Sequence, residues 1–457
     1  MKKQFGYSHS AAMLRTLFAL RFKIWRTALL FVAAHTAAFG QTLVVPGLET
    51  TVPGNVALPV GVQANRFQEV VGGGQFPGPT VINGIRFRAA AGTGPVSVNY
   101  ASYKITLSTT QAYPRALNGL TSTLPSLTFA NNVGPDATTV YNAPILGSSP
   151  GCAAPGPCTF DLAIPFSTPF TYEPSKGRLL VDIVASAATG TPTGSLDGEK
   201  FSDNSSGTIV AVTGDPTQPT GALLLGGLVF GLDASTPYYF PQLAFGGGWQ
   251  TTVTYVNYSP QSVTCQTTFY TDAGAPLLVP FGGTAVSTST DVLAPGTTLH
   301  QQTTGDSAAP AATGWAVTLC TAPIKASMLY RVYSQGVAQG EAGVNARSIP
   351  ATEFVTFAET QTGIAYANPS GVPASVTITV LSSAGLALGS KVVQLAPNAH
   401  AAANIGPLLG LGSFTGSLQI TSTVPIVTLS LNAEAFPVFS ALPPGDLPDG
   451  TPLAPGH

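Results

Sequence analysis

Charge is scarce in this 457-residue chain: 18 Lys and Arg with 20 Asp and Glu amount to 8% of it. No basic cluster is present to meet a phosphate backbone, so nucleic acid is not an expected partner. Low charge does not mean disorder here, because disordered segments pair low hydrophobicity with high net charge, and 44% of these residues are hydrophobic. Helical periodicity is almost missing, and so are Lys-, Glu- or Leu-rich stretches that would favour helices. Histidine is rare too. Beyond residue 40 only His300, His400 and His457 remain, and none forms a His-x3-His pair suited to a metal. No hydrophobic run is long: Thr27 to Ala38 is well short of the roughly 20 apolar residues that a spanning helix needs.

The N-terminal region supplies most of the charge asymmetry. Lys2, Lys3, Arg15, Arg21, Lys23 and Arg26 occur without an acid, then the apolar run ends in Ala38-Phe39-Gly40. This pattern predicts a secretory signal peptide over 1–40, and export to the periplasm, the cell surface or the medium. Without it the chain has 12 basic and 20 acidic residues, a formal charge of −8, and no membrane span. The 50 Gly and 39 Pro break up stretches rich in Thr, Val and Ser, which favour strands. Period-two alternation recurs, as in Ile85-Arg86-Phe87-Arg88 and Tyr103-Lys104-Ile105-Thr106-Leu107. One wet and one dry face is the mark of antiparallel strands in a sandwich.

The second half is one module written twice. Thr251 to Leu277 meets Thr362 to Leu388 at a constant shift of 111, with eight of 27 positions identical, among them Tyr255/Tyr366, Asn257/Asn368 and Gly274/Gly385. After a nine-residue insertion in the first copy the shift becomes 102, aligning Leu293-Ala-Pro295 with Leu395-Ala-Pro397. The fold class is therefore all-β: a large jelly-roll-like sandwich over 41–234, then two immunoglobulin-like sandwiches over 235–349 and 350–443, with a disordered tail over 444–457. Asp233-Ala-Ser-Thr-Pro237 marks the first boundary, and Arg347-Ser-Ile-Pro350 separates the copies.

Four cysteines lie beyond residue 40, an even number suited to an oxidising compartment. Three pairings are open. Cys152 and Cys158 share a turn-rich loop that could close on itself, which leaves Cys265 with Cys320. Both of these fall in the first copy, where the second has Val376 and Ser422. Zinc is the rival reading, but Cys-x5-Cys without a nearby His is poor ligand spacing.

Phe240-Pro-Gln-Leu-Ala-Phe-Gly-Gly-Gly-Trp-Gln-Thr-Thr-Val-Thr-Tyr-Val-Asn257, with Phe269 to Leu277 and Leu293 to Gly296, resembles tandem sandwich modules of secreted soil-bacterial proteins of unassigned function. The N-terminal part is similar to a jelly-roll-like module of exported bacterial proteins, through Arg66 to Val70, Ile85 to Arg88, Ile105 to Thr110 and Thr220 to Phe230. The resemblance implies architecture and no catalytic residue. A C-terminal sorting segment found in some such proteins has no counterpart here.

Catalytic patterns are weak. Gly147-Ser-Ser-Pro-Gly151 matches Gly-x-Ser-x-Gly, yet it runs into a Pro-rich loop rather than from strand to helix. The densest polar cluster, Asp197, Glu199, Asp203 and Asn204, offers the oxygen ligands calcium requires, in a poor EF-hand register. Trp249 and Trp315 are the candidate ligand-binding residues, because an aromatic face complements the C–H face of a pyranose. The expected function is a non-catalytic binding, adhesive or structural protein, with polysaccharide or a cell-surface component as partner. The alternative is a secreted hydrolase using paired carboxylates drawn from Asp161, Glu173, Asp182, Asp197 and Glu199.

Overall fold

Alternating sequences become strands throughout the computed structural model, which describes residues 41–59, 65–76, 78–188, 193–203, 207–281, 284–305, 308–434, 436–442 and 444–446. The N-terminal sandwich holds β1 (Gln41–Val45), β2 (Val56–Pro59), β3 (Asn65–Val71), β4 (Thr80–Phe87), β5 (Val96–Thr110), β6 (Thr138–Ser149), β7 (Leu162–Tyr172), β8 (Arg178–Ala188), β9 (Ser195–Lys200), β10 (Ile209–Gly214), β11 (Ala222–Leu224) and β12 (Gly226–Leu228). Next come β13 (Phe230–Phe245), β14 (Trp249–Val256), β15 (Val263–Thr271), β16 (Val279–Phe281), β17 (Thr284–Val286), β18 (Thr288–Leu293), β19 (Thr298–Gln302), β20 (Ala312–Cys320), β21 (Lys325–Ser334) and β22 (Val337–Asn345). The second copy has β23 (Ala351–Glu359), β24 (Thr362–Ala367), β25 (Ala374–Ser382), β26 (Ala387–Leu395), β27 (His400–Asn404), a five-residue helix (Ile405–Leu409), β28 (Thr415–Asn432), β29 (Ser440–Ala441) and β30 (Gly445–Asp446). No helix among the described residues is long and apolar enough to cross a membrane.

In the N-terminal sandwich a six-stranded sheet, β11-β10-β3-β8-β5-β6, faces β1, β13, β4 and β7, and a small sheet, β12-β9-β2, closes one side. Ile85 and Phe87 point into the shared core with Ile105, Leu107, Ile183 and Leu232. Arg86 faces outward to Asp233 at 2.6 Å, as alternation predicts. Arg88 departs from that reading: it is buried beneath the Phe160 ring and pairs with Asp197.

The repeat survives in atomic detail. Copy 1 stacks β18-β15-β20-β13 on β19-β14-β21-β22, and copy 2 stacks β26-β25-β28-β23 on the β27-β24-β28 sheet, with β28 serving both layers. Asn257 donates to the carbonyls of Gln261, Leu293 and Ala294. Asn368 donates to Val372, Leu395 and Ala396, which occupy the same places. Gly274 and Gly385 both turn at positive φ, +81° and +80°, where a side chain would be strained. The insertion in copy 1 is the β16–β17 hairpin, seated by Val279 and by Phe281 against Phe269. Relative to an antibody constant domain, which groups strands 1, 2, 4 and 5 against 3, 6 and 7, the first, fourth and seventh strands of copy 1 lie in the opposite sheet.

The sandwiches meet without a linker at the expected junctions. β13 runs unbroken through Asp233 to Pro237, pairing β4 as far as Ser235 and β20 from Thr236 onward. One strand thus belongs to two sandwiches. The Arg347 segment is also docked, exchanging backbone hydrogen bonds with Tyr239. At the C-terminus, Gly445 and Asp446 pair with β23, so order extends past residue 443; residues 447–457 of the expected tail lie outside the described residues. All described residues fall within a single compact unit, Phe39–His457.

Candidate functional site

Trp315 is held by β20 with its ring turned toward the second copy, not toward solvent. It is 1% exposed, stacks on Tyr270 at a centroid distance of 4.8 Å, and donates from Nε1 to the Asn398 carbonyl at 2.7 Å. Tyr239, Ala367 and Val427 complete this cluster. The expectation that Trp315 presents a sugar-stacking face is therefore corrected: its indole joins the two copies. Trp249 is half-buried, with Phe439 and Phe436 from the C-terminal segment 5.6 and 6.4 Å from its ring. The two indoles form no common platform. Tyr255, shared with the second copy as Tyr366, lies inside copy 1, bonded through its hydroxyl to Thr267 and Thr318.

The calcium reading meets a similar obstacle. Asp197 and Glu199 lie on β9, not on a loop. Asp197 is buried, accepts from Arg88 Nε at 2.8 Å and from the Gly54 amide, and has no oxygen facing solvent to offer an ion. Glu199 accepts from the Asn55 amide and side chain. Asp203 is exposed, and Asn204 lies outside the described residues. No group of three His, Cys, Asp or Glu suited to a metal occurs among the described residues. Glu49, about 150 positions upstream and without a local sequence signal, brings its carboxyl to the same region. Burial raises its pKa, opposed by its own backbone amide and reinforced by the charges of Glu199 and Asp197. Of the five acids considered for hydrolysis, only Asp197 and Glu199 share a strand, while Asp182 is held by Arg66 at 2.6 Å and Glu173 by Lys176 at 3.7 Å.

Both disulfides pair as the loop reading left them: Cys152 with Cys158 and Cys265 with Cys320. The second is not a bridge between sheets. Cys265 and Cys320 are direct partners on adjacent strands β15 and β20, with Cα atoms 4.1 Å apart. Arg331 and Glu341 pair across the β21–β22 hairpin at the surface.

Clefts lie where sandwiches meet, and two of them border the aromatic candidates. Between the copies, Gln242, Trp249, Ala365, Ala403 and Leu431 line a mainly apolar space of about 390 Å³. Between the N-terminal sandwich and copy 1, a space of about 500 Å³ is lined by Pro79, Thr236, Tyr258, Lys325, Ser327 and Asn345, among others. Its floor is braced by Tyr238, whose hydroxyl donates to the Ile324 carbonyl and accepts from the Ile324 amide. Burial pushes the Tyr238 phenol up to about 12, against the Ile324 hydrogen bond and helped by nearby Tyr258. Pockets at domain junctions are common ligand sites, because walls from separate elements can surround a guest.

Compared with known proteins, the chain matches no family model, no curated protein and no solved structure.

Proposed function

We propose that this chain is an exported, non-catalytic binding protein that acts at or outside the cell surface, with a polysaccharide as its ligand. The observation that carries the reading is the continuity of β13 through two sandwiches, which fixes the walls of a cleft lined by hydroxyl, amide, ammonium and aromatic groups. A preorganised cleft binds without the entropy cost of assembling its walls. The disulfides suit an oxidising compartment. The resemblance to secreted tandem-sandwich proteins supports export alone.

The test is to express the full chain with its first 40 residues, recover the processed protein, and titrate it against purified cell-wall and extracellular polysaccharides while monitoring reducing-end release. Saturable binding without release is the expected result. Turnover, or retention of the unprocessed chain in the cytoplasm, overturns the reading.

A further inference from the structure

The two copies use one sheet face in different ways. In copy 2 the cross-strand partners Ala367 and Val427, with Leu429 two residues on, press against the preceding sandwich and are buried there. The repeat places Val256, Lys325 and Ser327 at these positions in copy 1. Val256 and Lys325 are again cross-strand partners, and Ser327 faces Asn345 on β22. Yet here the face is covered only in part, with Val256 and Ser327 half-buried. Lys325 and Asn345 are exposed, and all four line the cleft against Gly78 and Pro79. Tyr258, which stands where copy 2 has Pro369, adds a ring that is 59% exposed, with the Lys325 ammonium 6.0 Å from its centroid.

A docking face has thus become polar where the chain needed only another Val and Leu to close the joint. Apart from the Lys325–Tyr258 contact, its polar groups are uncommitted. Among the described residues Lys325 makes no ion pair, and the side chains of Ser327, Asn345 and Ser348 make no hydrogen bond. No carboxylate lines this cleft. An ammonium without a counter-charge selects an anion, the flat ring selects the C–H face of a pyranose, and the hydroxyl and amide groups suit its hydroxyls.

We propose that the cleft between the N-terminal sandwich and copy 1 binds a uronic-acid saccharide, with the sugar ring on Tyr258, its carboxylate at Lys325, and its hydroxyls at Ser327 and Asn345. The proposal rests on the polysaccharide-binding reading above and names the site and the sugar class. Isothermal titration of the full processed chain with a galacturonate trimer and with the neutral galactose trimer of the same linkage tests it. The acidic trimer is expected to bind at least about tenfold more tightly, the worth of one charge-assisted hydrogen bond. Lys325→Gln should abolish that preference and its salt dependence. Tyr258→Ala should weaken both ligands about tenfold, and Lys391→Gln, a lysine on copy 2, should change neither. Equal binding of the two trimers, or a preference untouched by Lys325→Gln, overturns the assignment and leaves polysaccharide binding standing. Failure of every polysaccharide to bind removes both.

Discussion

The Trp315 indole nitrogen donates to the backbone carbonyl of Asn398 at 2.7 Å, linking β20 of the first copy to the turn that precedes β27 of the second. Next to it, His400 Nδ1 meets Asp272 Oδ1 at 2.8 Å, and the His400 amide donates to the Asp272 carbonyl. The joint is therefore tied by backbone and side chain together. It behaves as an interior rather than a linker.

Shortening Trp315 should loosen the second copy selectively. Trp315→Ala removes a fully buried ring and leaves the Tyr270 face open, a loss of about 3–5 kcal/mol for such truncations. Trp315→Phe keeps most of the stacking and gives up one hydrogen bond, about 1 kcal/mol. Denaturant unfolding followed by intrinsic fluorescence should rank the two in that order, with limited proteolysis of the alanine variant cutting near Arg347. Equal effects from both would mean that the hydrogen bond, not the ring, holds the joint.

Glu69 supplies a pH signature in the N-terminal sandwich. Its carboxyl is buried between β3 and β12, takes one hydrogen bond from the Leu228 amide at 2.8 Å, and leaves Oε1 without a partner. Gly227 makes the room, since a Cβ there would lie 2.4 Å from the carboxylate. Desolvation raises the pKa well above its ordinary value, against the Leu228 hydrogen bond. The folded state therefore holds the proton after the unfolded chain has released it. Stability from this group is full below the unfolded value near 4.5 and declines as pH rises toward the folded one. Glu69→Gln keeps the acceptor and removes the titration, so its melting temperature should exceed that of the parent at pH 7 and match it at pH 4. A variant less stable than the parent at pH 7 would contradict this.

Asp197 provides the clearest test against a metal role. Arg88 and Asp197 are both almost fully buried, and the guanidinium also donates to the carbonyls of Glu49 and Val52. Asp197→Asn leaves that cation without its counter-charge, and breaking one partner of a buried pair costs about 3–5 kcal/mol. Chelation should leave the melting temperature of the parent unchanged, since Asp197 is already neutralised by arginine. A melting temperature that falls with chelator and recovers with calcium would reverse this assignment.

Legibility in the sequence followed the physics of each signal. The repeat was readable because Asn257, Asn368, Gly274 and Gly385 perform backbone tasks that few other residues can perform, so identity persists at those positions. Alternation exposed the strands for the same reason, since burial on one face dictates residue type. The continuity of the strand across the first junction was not readable. Pro237 within Asp233-Ala-Ser-Thr-Pro237 signals a break, because proline offers no N–H to a ladder. The structure nonetheless carries β13 through it, with Pro237 opposite Leu319. The fate of Trp315 was hidden as well: its local sequence is the same whether a second sandwich covers the ring or water does. The Tyr258 and Lys325 cleft emerges only when the cross-strand registers of the two copies are laid side by side.

The second copy is also a template for removing the disulfide of the first. Val376 and Ser422 stand opposite one another on β25 and β28, as Cys265 and Cys320 do on β15 and β20. The sandwich is therefore compatible with either pair, and the bridge contributes by restraining the unfolded chain. For a sequence separation of 55 residues, loop entropy gives about 4 kcal/mol, and measured effects of this kind commonly reach about 2–4 kcal/mol. The double variant Cys265→Val with Cys320→Ser should fold, keep the β-rich circular dichroism of the parent, and lose stability in that range. Reducing agent should then destabilise the parent and leave copy 1 of the variant unaffected, with any residual sensitivity assigned to Cys152 and Cys158. A variant that cannot fold would mean that copy 1, with its added β16–β17 hairpin, requires the bridge to hold β15 against β20.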